Sequence, residues 1–421
     1  MPNMGKTRRM NVFTFATSKY KRRIMMHTLI KRNWIRVDYN LFLYLLLGLL
    51  TAFGPFVTDM YLPSLPAMVS YFGTTSSMVQ LGLTTSFMGL AVGQVFFGPL
   101  SDKYGRRPLL LVAMGLFIAS TIICIFAPTI QVFVLFRFIQ GVAGAGGIVI
   151  SRSIATDKFE GKELMRILAI VGAINGIAPV IAPVLGGTLT DSVGWQGIFF
   201  VLLIIGGILA AGCVYFKESL PIPTRSKAGL INLFYSFKRV VRNRLYLFYV
   251  LQLGFAQGIL FSNIASSSFI VQEHYGYSPL AFSICFGVNA IAIGAAAALS
   301  VKFRKPENGT LTGCIGMVAL SICELIALYL DCNFWVYESL LFMLLFMMGL
   351  TFTTSTVLAM NAERKNSGTA SAFLGAVCFI FGGIVSPLVG LGNILVSTGI
   401  LFVVCAVCSL LCAIKASQTM G

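Results

Sequence analysis

Charge is what this sequence has least of. Asp, Glu, Lys and Arg make up 11% of its 421 residues, against roughly 25% in a soluble globular chain. Hydrophobic residues make up 57%, and mean hydropathy is +0.87. Two or three soluble domains, the reading that length alone suggests, are therefore excluded, as are disorder, coiled coil and collagen. Histidine is almost missing: His27 and His274 lie far apart, with no carboxylate and nucleophile beside either, so no hydrolytic triad can be assembled and the chain does not read as an enzyme. A Gly-rich loop ending in Lys-Ser/Thr is also missing, which excludes self-powered ATP-driven pumping. Nine of the ten cysteines fall in apolar runs, and only Cys332 sits in a loop, so no disulfide framework is expected. Cys405, Cys408 and Cys412 have no His or carboxylate nearby and read as packing residues, not as metal ligands.

What is present is a series of long apolar runs. A membrane span needs about 20 apolar residues. The runs predict twelve helices near 40–66, 75–98, 108–127, 129–152, 164–190, 196–216, 244–271, 278–302, 309–330, 334–360, 367–390 and 393–414. This is an all-α polytopic membrane protein, with 12 transmembrane helices expected in two six-helix bundles. The segments are a basic tail at 1–38, a first bundle at 39–216, a linker at 217–243, a second bundle at 244–415 and a short tail at 416–421.

The formal charge of +17 could point to nucleic acid, but topology explains it better. Basic residues collect on the cytoplasmic side of membrane proteins. With twelve spans, thirty of the thirty-one Lys and Arg fall in or beside loops on one side. The exception is Arg137, inside the fourth helix. Adding or removing one span would scramble this bias, so both termini are expected in the cytoplasm. The tail mixes Lys19, Lys21, Arg22, Arg23, Lys31, Arg32 and Arg36 with Ile24, Met25, Leu29, Trp34 and Ile35. It reads either as an amphipathic helix on anionic membrane lipids, as a loose segment that only enforces orientation, or as residues upstream of the true start.

Ionisable groups within spans are expensive and functional by default. Three are expected here: Asp59, Arg137 and Glu324. Asp59 can carry a proton. Arg137 cannot lose its own and needs a partner or a watery cavity. Glu324 lies about six residues from the outer end of its helix, a depth that water can reach. The segment Gly98-Pro99-Leu100-Ser101-Asp102-Lys103-Tyr104-Gly105-Arg106-Arg107-Pro108 reads as a tight inner loop, with Asp102 able to pair with Arg106 or Arg107.

That loop resembles the signature loop of the major facilitator superfamily. Leu135-Phe136-Arg137-Phe138-Ile139-Gln140-Gly141 resembles the family's fourth-helix motif. Ala178-Pro179 to Ala182-Pro183 to Gly186-Gly187 resembles its fifth-helix antiporter motif, with Ala182 where the family has Gly. Thr58-Asp59-Met60-Tyr61-Leu62-Pro63-Ser64-Leu65-Pro66, Trp195-Gln196-Gly197-Ile198-Phe199 and Gly368-Thr369-Ala370-Ser371 are similar to the Bcr/CflA drug-resistance branch of the drug:proton antiporters.

The resemblance covers residues 40–414. It implies a monomer in the bacterial inner membrane that exports drugs or other small amphipathic compounds against protons, with no cofactor beyond the proton gradient. Asp59 would bind protons and cations, with Arg137 its electrostatic counterpart across the cavity. Gln140 and Gly141 would help helix four pack. Pro179, Pro183, Gly186 and Gly187 would let helix five bend against helix eight. Gly98, Asp102, Gly105, Arg106 and Arg107 would hold an inner gate against the start of helix eleven, near Ser367. Phe87, Met88, Phe255 and Phe261 are position-based candidates for the cavity wall. Export of a native metabolite by the same machinery is a second reading. A non-transporting receptor or scaffold is a third, which would have no need of Asp59 or Arg137.

Overall fold

The computed structural model describes residues 39–225, 238, 240–363 and 367–420. The basic tail at 1–38, and with it the amphipathic-helix reading, lies outside the described residues. Eleven helices among the described residues are long and apolar enough to cross a membrane. One of them, Gly161–Tyr215, contains Gly194 at φ 68, ψ −175, outside helical space. Only glycine adopts such a conformation readily. The kink divides that helix into two legs, and twelve spans result.

We number them α1 (39–72), α2 (Ser76–Tyr104), α3 (Arg106–Ile125), α4 (Ile130–Lys158), α5 (161–193), α6 (195–215), α7 (Arg244–His274), α8 (Pro279–Ser300), α9 (Pro306–Tyr329), α10 (Phe334–Ala362), α11 (Ser367–Val389) and α12 (Ile394–Met420). The first boundary after each apolar run is often a side-chain cap. Thr75, Asn243, Ser278 and Asn333 each accept a hydrogen bond from a first-turn backbone N–H of the helix that follows.

Two boundaries differ from the sequence reading. Gly98 to Tyr104 is helix, with Pro99 inside it, so the supposed loop shrinks to Gly105 between α2 and α3. Residues 416–420, read as a tail, continue α12. Both segments carry polar residues that favour loops in isolation but are tolerated at a helix end facing water.

The first span is broken by its prolines. α-Helix runs over 39–59, a 3-10 turn follows at Leu62–Ser64, and helix resumes at Leu65–Phe72. Proline has no N–H to donate. Pro63 therefore leaves the Asp59 carbonyl without its helical donor, while the Leu62 carbonyl, denied one by Pro66, accepts the Leu65 N–H instead.

In lipid, helices associate through close packing more than through hydrophobicity, so small residues mark the contacts. Gly141 of α4 lies on the Ser86 backbone of α2, and Gly89 of α2 lies on the Phe138 carbonyl of α4. Gly186 of α5 sits on the Met60 carbonyl, and Gly187 on Ser283 and Pro279 of α8. The bundles also meet where Gly383 of α11 rests on Met88, and Gly390 just past its end on Ser77 and Gln80, all of α2.

Among the described residues, three side-chain hydrogen bonds join the bundles. Gln80 donates to the Ala265 carbonyl (3.1 Å), Ser268 to Leu62 (2.7 Å) and Gln272 to Pro63 (3.0 Å). All three lie at the end opposite the basic loops.

A Cβ at Gly141 would overlap the Ser86 carbonyl, and such overpacking typically costs about 1–3 kcal/mol. Gly141→Ala should lower the melting temperature in detergent. Gly115→Ala, which meets nothing within 4 Å, should leave it unchanged.

Candidate functional site: a cavity between the bundles

A cavity of about 510 Å³ lies between the two bundles. The first bundle contributes Asp59, Phe87, Gln94, Arg152 and Pro179, and the second contributes Phe261, Asn263, Asn289, Met348 and Phe379. Its walls are mainly apolar and aromatic. Phe87 and Phe261 pack with ring centroids 4.4 Å apart. Both were expected at the wall. Met88 instead packs against Gly383, and Phe255 against Phe381.

Asp59 sits at the cavity end nearer the bonds that join the bundles. It is 7% exposed and accepts a 2.7 Å hydrogen bond from Thr58. Among the described residues no ion pair reaches it.

Arg137 does not line the cavity. It is completely buried, with its guanidinium wedged between α1, α4 and α6. One nitrogen donates to the Val57 carbonyl (3.1 Å) and to Gln140 (2.5 Å), and Gln140 in turn donates to Thr121 of α3 (2.7 Å). The charge lies 4.4 Å from the Tyr61 ring centroid and 5.7 Å from that of Phe199, a favourable cation–π arrangement. Its Nε and second terminal nitrogen have no hydrogen-bond acceptor. Val57 belongs to the last turn before the break in α1, where carbonyls lack helical donors. Arg137 thus bonds the backbone two residues before Asp59 and leaves the carboxyl to the cavity.

Glu324 departs from expectation. It is 0% exposed, and neither carboxyl oxygen has a hydrogen-bond partner, so water does not reach it from the nearby helix end.

At the basic end, Gly105 turns at φ 103 and a Cβ there would collide with Arg225 and Glu218. Arg106 is 6% exposed and pairs with Asp102 (2.5 Å) and Asp157 (2.9 Å). Glu218, just past α6, accepts the backbone N–H groups of Arg106 (3.0 Å) and Arg107 (3.2 Å). A carboxylate at a helix N-terminus is favoured by the exposed N–H groups and the helix dipole. Arg107 donates to the Val214 carbonyl (2.6 Å). The cluster therefore ties α2, α3, α4 and the end of α6 into one block within the first bundle. The expected latch to α11 falls at Ser367, whose side chain lies outside the described residues.

Asp157, Glu218 and Arg152 were missed as site residues. A usable signal existed for Glu218, one of only 14 acids in the chain and placed directly after an apolar span. Pro179 lines the cavity, and Pro183 lies one turn further along α5.

Residues 47–387 match the family model described as Major Facilitator Superfamily. The chain belongs to the major facilitator superfamily. It is 34% identical over 360 residues to the uncharacterized MFS-type transporter YdgK of Bacillus subtilis (strain 168), covering 84% of this chain and 90% of that one. It is 28% identical over 364 residues to a bicyclomycin resistance protein homolog of Haemophilus influenzae, covering 83% and 89%. Among solved structures, a bacterial homolog of the human lysosomal transporter Spinster, inward-facing and unoccupied, superposes with a TM-score of 0.73 at 16% identity over 90% of this chain and 98% of that one. At that identity the likeness speaks to the fold alone.

Hydrogen bonds to a charged group contribute about 1.5–3 kcal/mol. Glu218→Ala, which strips the α3 N-terminus of its carboxylate, should therefore lower the thermal midpoint in detergent. Glu160→Ala, at an exposed position, should not.

Proposed function

We propose that this member of the superfamily exports drugs and other small amphipathic compounds in exchange for protons, by alternating access across the bacterial inner membrane. The observation that carries the reading is the cavity between the bundles, with aromatic walls and a buried carboxyl, Asp59, facing into it. Aromatic walls accept varied apolar groups, and one carboxylate selects for cations or dipoles. The relative named as a bicyclomycin resistance homolog supports the same reading.

The cycle follows from electrostatics. A proton entering from the outer side neutralises Asp59, and the cationic substrate loses its partner and leaves. Facing the cytoplasm, Asp59 releases the proton and the carboxylate attracts the next substrate. Arg137 holds the backbone beside Asp59. The bonds among Gln80, Ser268, Gln272 and their carbonyl partners close the outer side while the cavity opens inward. The proton gradient and the membrane potential, worth about 2.3 kcal/mol per charge per 100 mV, drive the exchange, and no bound cofactor is needed. The chain works as a monomer in lipid, with both termini in the cytoplasm.

Arg152 and the amides of Gln94, Gln257, Asn263 and Asn289 also line the cavity. They favour a second reading, in which the native cargo is a polar metabolite and drug export is incidental.

Proteoliposomes with an imposed pH gradient test the proposal. Wild type should move ethidium or tetraphenylphosphonium with the gradient. Asp59→Asn should lose at least about ten-fold in rate, within the range given by coupling energies of 1–3 kcal/mol. Unchanged movement in Asp59→Asn would place coupling elsewhere. No movement by folded wild type would favour the metabolite reading.

A further inference from the structure

The second bundle holds two carboxyls that the cycle above does not use. Glu324 lies on α9, near the end opposite the basic loops, and is completely buried with both oxygens unpartnered. Glu338 lies on α10 within electrostatic range of it. Glu338 accepts a 2.9 Å hydrogen bond from the Asn289 amide of α8. Asn289 is 3% exposed, its Oδ1 has no partner, and it lines the central cavity. Asn289 therefore bonds one acid through its amide nitrogen and also lines the cavity.

The surroundings offer no cation to balance two carboxylates. Residues 245–301 and 306–363 contain no Lys or Arg. The other titratable groups facing the pair are Tyr275, Tyr337 and Cys285, all neutral. His274 is bonded to Asp331 (2.8 Å) at the helix end. α12 packs on Glu324's neighbour Leu325 through Gly399, which carries no charge. A completely buried carboxyl with neither a counter-ion nor a hydrogen-bond partner is disfavoured as an anion, and the charge of a second carboxyl in range acts in the same direction. A metal cation fits less well. Hard cations take six or more oxygens, whereas only the two Glu324 oxygens, one of Glu338 and the Asn289 Oδ1 are free here.

We propose that Glu324 and Glu338 form a second proton-binding site in the C-terminal bundle, connected to the central cavity through Asn289. Glu324 holds the proton, and Glu338, bonded to Asn289, is the acid whose charge acts on it. The Asn289 amide relays the state of the pair to the cavity wall. The inference uses proton-coupled transport only for its consequence, which is a proton carried independently of Asp59.

Infrared titration of the purified full chain reads the site directly, through the C=O stretch of protonated carboxyls. Asp59→Asn, which leaves the pair untouched, should keep a carboxylic band at neutral pH. Adding Glu324→Gln should abolish that band, adding Glu338→Gln should shift it, and replacing choline with sodium should leave it unmoved. A band that survives Glu324→Gln, no band in Asp59→Asn, or a band displaced by sodium would each overturn the proposal. Size-exclusion profiles and melting curves identify any misfolded variant, and Glu324→Asp, which keeps a carboxyl but moves it, should shift the band if Glu324→Gln fails to fold. A retained band in a wild type that moves no drug would support the site while refuting the transport reading.

Discussion

A permanent charge placed in an apolar bundle has to be satisfied, and Arg137 organises the first bundle around that need. A guanidinium cannot shed its proton to escape the penalty. It is met by a free carbonyl on α1, by Gln140 backed by Thr121 on α3, and by the rings of Tyr61 and Phe199. Four helices are thus held around one side chain. The free carbonyl exists because α1 stops at Asp59, and α1 stops there because Pro63 and Pro66 cannot donate to the turns before them.

The same proline-containing segment bonds the second bundle. The Leu62 carbonyl accepts both the Leu65 N–H of the 3-10 turn and the Ser268 hydroxyl, and the carbonyl of Pro63 itself receives Gln272. One short segment, Val57 to Pro66, therefore carries the cavity carboxyl, the acceptor for Arg137 and the contacts that join the bundles at one end. Under the proposed cycle, Asp59 takes up its proton on the segment that also bonds the second bundle. This continuity gives alternating access a mechanical basis, since a change in charge at one residue bears on the bonds a few residues away.

Much of this was legible in the sequence because lipid leaves the chain few choices. Every backbone polar group must be satisfied within a helix, so apolar runs and the one-sided basic residues give twelve spans, and even the break near Gly194 shows as a gap between runs. The motif from Gly98 to Arg107 was misread as a loop because Gly, Pro and Asp favour turns locally, whereas helix packing carries α2 through to Tyr104. Asp59 and Arg137 stood out as charges in apolar runs. That Arg137 bonds a carbonyl and lies behind the cavity wall was not legible, because it depends on how four helices converge. Asp157 and Glu218 gain their roles only from partners 51 and 112 residues away. Glu324 looked water-accessible from its depth along the helix, yet its neighbours bury it fully.

The central claim is that proton and substrate compete for Asp59. The most direct test is to add tetraphenylphosphonium to the purified protein in weakly buffered detergent and follow pH. The account predicts that binding releases protons in wild type, that acidification weakens binding, and that Asp59→Asn releases none. Binding without proton release in wild type, or an unchanged release from Asp59→Asn, would contradict it.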